Sequence, residues 1–126
     1  MSKIQDLHDE AMRLADKADS FRRKGEPRSS QKWLVKAFEA ERKAAEACAA
    51  DLAYEPTRSI LHRSAASLAM EAGRFREAER LIAIALAGNP PDEIADELRD
   101  LLEKVYFDQP VRKGRRTLTG AKAAGS

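Results

Sequence analysis

The sequence predicts an all-α domain of about five antiparallel helices, and three observations carry that prediction. Apolar residues recur at alternating steps of three and four along most of the chain, as one buried face of a helix requires. Ala, Glu, Arg, Lys and Leu dominate the composition while aromatics make up only 6%, a mixture suited to helices packed closely through small side chains. Glycine and proline interrupt the periodic runs at short intervals, and such short connections make neighbouring helices antiparallel.

The first helix is expected over residues 3–24, where Ile4, Leu7, Ala11, Leu14, Ala18 and Phe21 form one stripe and Gly25 and Pro27 end it. A second is expected over 29–53, started by a hydroxyl cap at Ser29 or Ser30. It carries two stripes, Leu34, Phe38, Ala45, Cys48 and Leu52 on one side and Trp33, Ala37, Ala40, Ala44 and Ala47 on the other. Such a helix is either sandwiched between neighbours or keeps a face for a partner, and self-association is one use for it. Pro56 opens a third helix over 57–72, Gly73 makes the corner, and a fourth over 74–87 buries Phe75, Ala78, Ile82 and Ala85. Gly88 fits the left-handed terminating position of that helix. Asn89 and Pro90 then read as cap and first residue of a fifth, running to residue 107 with Ile94, Leu98, Leu101, Leu102 and Val105 inward.

Charge divides the chain. Its net charge is +2, but residues 109–126 hold five basic residues and no acid, leaving residues 1–108 with 18 basic against 21 acidic. A helical domain over 1–108 is therefore followed by a basic tail over 109–126, whose glycines and unpaired charge predict disorder. Arg112, Lys113, Arg115 and Arg116 give that tail a modest electrostatic grip on an acidic partner or nucleic acid, with no aromatic beside them to stack on bases. One cysteine, no long apolar run and no leader-like start predict a cytoplasmic protein without disulfide or membrane span.

Residues 59–92 resemble a tetratricopeptide repeat in the spacing of Gly73, Phe75, Ala78, Ala85 and Pro90; in the preceding helix only Ala66 keeps the repeat's small close-contact residue. The stretch "EPTRSILHRSAASLAMEAGRFREAERLI" is also similar to short bacterial helical-repeat proteins. Residues 3–56 read as a longer, modified copy, since Ala37 and Ala44 keep the seven-residue separation of Ala78 and Ala85. Between Gly25 and Pro56 that copy has about four helical turns more than its counterpart, which extends both arms. The resemblance implies a groove along the first helix of each pair, lined here by Ile60, Arg63, Ser67, Met70 and Glu71. Where the family's carboxylate clamp has Lys and Asn, this chain has Arg63 and Ser67.

The residues that look chemical are few. His8, His62 and Cys48 are too few for a zinc site, and no phosphate-binding GK[ST] or GxSxG motif occurs, so no metal and no cofactor are expected. Arg58 and His62, four apart on one helix face, offer an acid or base toward phosphodiesters, but the three residues between them depart from the Arg–His spacing of small helical ribonucleases. The same residues also read structurally, with Arg58 pairing Asp51 or Glu55 around Pro56 and His62 filling a gap between helices. Trp33 reads either as a partner's anchor or as a plug between helices.

The preferred reading is a non-enzymatic adaptor that holds a peptide or helix of another protein through Arg58, His62, Arg63, Ser67, Met70 and Trp33. The alternatives are a regulatory, antitoxin-like subunit acting through its tail, and a small helical ribonuclease using Arg58 and His62.

Overall fold

The computed structural model describes residues 2–108. The basic positions Arg112, Lys113, Arg115 and Arg116, and the expectation of a disordered tail, lie outside the described residues. Within them the chain is all-helical: α1 spans Lys3–Arg23, α2 Pro27–Cys48, α3 Thr57–Glu71, α4 Phe75–Leu86 and α5 Asp92–Asp108, with a 3-10 turn at Leu52–Tyr54. None of these helices is long and apolar enough to cross a membrane.

Successive helices pack on one another, α1 on α2, α2 on α3 and α3 on α4, while α5 closes against both α3 and α4. Alanines set the spacing. Ala37, Ala65, Ala66, Ala69, Ala78 and Ala85 are fully buried with Phe38, Ile82, Leu98 and Val105 in one core. Helices meeting through alanine approach closely, so Phe38, Leu98 and Ile82 fill what remains. A smaller cluster of Ala44, Ala45, Cys48 and Leu61, with Ile4 and Leu7 against it, joins the start of α1 to α3 through the end of α2.

Both sharp corners follow one rule. Gly25 and Gly73 have φ of +77° and +80°, the left-handed conformation that spares glycine a Cβ clash. At the first, the Glu26 and Gly25 amides donate to the carbonyls of Phe21 and Arg22; at the second, those of Arg74 and Gly73 donate to Ala69 and Met70. These paired bonds satisfy carbonyls that each helix end leaves free.

The structure corrects four boundary expectations. Helix α2 begins at Pro27, not at Ser29 or Ser30, because proline is preorganised for a first helical position; the Ser30 hydroxyl instead donates to the Ala18 carbonyl across the hairpin at 2.8 Å. It also stops at Cys48, short of residue 53. In a continuing helix the Ala53 amide would bond to the Ala49 carbonyl, but it donates to the Asp51 carboxylate at 2.9 Å, and Arg58 Nε takes the Ala49 carbonyl at 2.7 Å. Leu52, expected inside, is therefore 52% exposed.

Gly88 does not adopt the left-handed conformation. Its reason for being glycine is space, since a Cβ there would lie 2.2 Å from Arg58 Nη1. Helix α5 begins at Asp92 and not at Pro90, so Asn89 does not cap it; the Asn89 amide points to Glu55.

Candidate functional site

Arg58 and His62 stand where the sequence places them, one turn apart on α3, but both are buried, at 4% and 0% exposure. Burial removes them from the surface on which a partner or an RNA phosphate would land. The guanidinium of Arg58 is occupied in three directions. Nε donates to the Ala49 carbonyl just past α2, Nη2 to the Ile84 carbonyl in the last turn of α4 at 3.1 Å, and Nη1 to the Glu55 carboxylate at 3.4 Å. One cation thus terminates two helices, at the ends where the helix dipole favours positive charge.

Glu55 completes the node at the start of α3. Its carboxylate accepts from the Ser59 amide at 3.0 Å, the Ser59 hydroxyl at 2.9 Å and the Asn89 amide at 3.3 Å. Desolvation pushes this carboxyl up, but the bonds from Ser59 and Asn89 and the charge of Arg58 outweigh it and hold it below the ordinary carboxylate range. An arginine in the first turn of α3 opposes that helix's dipole, and the carboxylate beside it offsets the cost. The bond between Arg58 and Glu55 is the structural alternative the sequence left open, and Asp51 instead caps the 3-10 turn.

His62 Nδ1 lies 2.7 Å from the Arg58 carbonyl, which can only accept, so Nδ1 carries the proton. Nε2 is buried with no hydrogen-bond partner among the described residues. Burial pushes the imidazole below its ordinary value, Arg58's charge pushes the same way, and the carbonyl bond only partly opposes them. A neutral, enclosed histidine is poorly placed to exchange protons with a substrate. Cys48 is similarly enclosed: burial pushes its thiol up, and its sulfur faces the Ala44 and Ala45 carbonyls. A thiol held protonated is a poor nucleophile.

The remaining expected contact residues are half-buried and lie on two surfaces. Arg63 and Ser67 on α3 border a shallow groove of about 280 Å³, with Glu97, Asp100, Leu101 and Lys104 of α5 opposite. Arg63 pairs with Glu97 across it. Met70, one turn further along α3, packs against the edge of the core. The second surface lies between α1 and α2, where a groove of about 560 Å³ runs past Leu7, Leu14, Trp33 and Ala40. Trp33 is only partly a plug: it is half-buried, with Lys17 Nζ 3.9 Å from the ring centroid and those of Lys36 and Lys32 at 5.4 and 5.6 Å.

Sequence reasoning missed one pair, His8 and Glu41. Glu41 is fully buried, and His8 Nδ1 donates to its carboxylate at 2.8 Å from the neighbouring helix. The signal was present: the stripe from Phe38 to Ala45 has a seven-residue gap, and Glu41 stands in it. Among the described residues, no three His, Cys, Asp or Glu side chains converge as metal ligands.

Comparison with protein-family models, with curated proteins and with solved structures gives no match to the chain.

Proposed function

We propose that the chain is a tetratricopeptide-like cytoplasmic adaptor, without enzymatic activity, that holds a peptide or helix of another protein in the groove between α3 and α5. The observation that carries this reading is the division of labour along α3. Its two most chemical residues, Arg58 and His62, are enclosed by the fold, whereas Arg63 and Ser67 stand half-exposed beside Leu101. Arg63 already holds a carboxylate there, and Glu97 is exposed enough to yield its place to a partner's acid.

The test is affinity capture with the intact chain, with Arg63→Glu and with residues 109–126 deleted. A partner lost on Arg63→Glu, with helicity unchanged, supports the groove; loss only on deletion of the tail replaces it with the antitoxin-like reading. RNA cleavage by the intact chain that disappears in His62→Ala would restore the ribonuclease reading.

A further inference from the structure

We propose that the groove between α1 and α2 at Trp33 is a second docking surface, and that it takes an acidic amphipathic peptide segment of a partner protein. The proposal extends the interaction-module reading to a site that shares no lining residue with the α3/α5 groove.

Its basis is a cluster of cations around the Trp33 ring. Arg28, Lys32 and Lys36 occupy successive positions four apart on α2, the spacing at which like charges on a helix repel. Lys17 of α1 joins them over the Trp33 ring. Among the described residues, none of Lys17, Lys32 and Lys36 forms an ion pair; the nine pairs that do form use arginine or histidine as the cation. A single ammonium over an indole is a common and favourable contact. Three around one ring carry mutual repulsion that a partner's carboxylates would relieve.

Beside this charge lies an apolar track for an anchor. Leu7 and Leu14 are two helical turns apart on α1, and Trp33 and Ala40 repeat that separation on α2, so the groove presents apolar contacts at both ends. A peptide with apolar residues seated in the groove and acids flanking them toward the lysines satisfies both features.

The remaining lining favours a peptide over a nucleic acid. Lys3 and Lys43 border the groove too, but so do Asp6, Glu10 and Glu39. The acids would repel a continuous phosphate backbone, whereas separate carboxylates can be placed against the lysines alone.

Trp33 is the only tryptophan, so its emission reports this surface and no other. The experiment titrates the full chain with a synthetic peptide of Leu and Glu at helical spacing, with the same peptide carrying Gln for Glu, and with single-stranded RNA. A saturable blue shift with the Glu peptide is expected, falling with salt and weakened about tenfold or more in Lys32→Glu/Lys36→Glu. Both lysines are exposed, so circular dichroism of that variant should match the parent. Arg63→Glu should leave the titration unchanged, which separates failure here from failure at the α3/α5 groove. An unchanged Trp33 spectrum at millimolar Glu peptide, equal binding of the Gln peptide, or tighter binding of RNA would each overturn the proposal.

Discussion

The α1/α2 hairpin reverses at Gly25 and the α3/α4 hairpin at Gly73, with the same pair of amide-to-carbonyl bonds closing each corner, yet the helices beyond the two corners differ. Helix α2 runs for 22 residues and α4 for 12. The longer pair leaves a side groove with a half-buried tryptophan and lysines gathered around it. The shorter pair is sealed at its open end by Arg58, Glu55, Ser59 and Asn89, and at its side by α5. Both hairpins enclose a carboxylate, but Glu41 meets one histidine in mid-helix, whereas Glu55 ties a connecting segment to a helix start. A turn motif sets the direction of a chain, and the contacts at the far end decide whether the hairpin remains open to a ligand.

If the second hairpin is held at that end, removing its cation should have the largest effect. Arg58→Ala strips a partner from the Ala49 and Ile84 carbonyls and from Glu55, all within a part-buried site. A loss of about 3–5 kcal/mol in urea-unfolding stability is expected. A loss below about 1 kcal/mol, the level of a surface pair, would remove the contrast between the hairpins.

A smaller effect is expected from Gly88→Ala, which adds a methyl group where the Arg58 guanidinium lies. The flexible side chain can move, but only by giving up its carbonyls. Destabilisation of about 1–3 kcal/mol is expected, and thermal melts of Gly88→Ala alone and combined with Arg58→Ala would show whether the two losses share one cause.

The smallest effect is a dependence on pH. His62 is held neutral in the folded chain, so below its ordinary value near 6.5 the unfolded chain binds a proton that the folded chain resists. Stability should be complete above that pH and decline below it as the solution is acidified. Glu55, held below the usual carboxylate range, adds a further loss only as pH falls through its lowered value. Stability curves of the parent and His62→Leu should therefore diverge in slope below pH 6.5, the variant being flatter there, with Glu55's contribution common to both.

Much of this architecture is legible in the chain itself. The five helices follow from apolar spacing, and both left-handed corners follow from glycines at the ends of periodic runs. Helix boundaries are less legible where side chains compete with the backbone. The stripe through Cys48 and Leu52 continues in sequence, but Asp51 takes the Ala53 amide and Arg58 takes the Ala49 carbonyl, so the helix ends. Gly88 illustrates the same limit: its position after α4 suggests a turn conformation, while its need for glycine comes from a side chain 30 residues earlier in the chain.

The candidate site divides in the same manner. The chain alone identifies Arg58, His62, Arg63 and Trp33 as residues out of keeping with an alanine-rich bundle, because composition and spacing are local properties. Tertiary structure decides which of them face inward. Arg58 is drawn in by two helix ends and a carboxylate that come together only when α2, α3 and α4 pack, and His62 follows it one turn later. Arg63 and Trp33 remain half-buried at the surface, Arg63 paired with Glu97 and Trp33 beneath lysine side chains. Periodicity determines that helices form; which polar groups they consume depends on the free carbonyls and amides at helix ends, and those meet only in three dimensions.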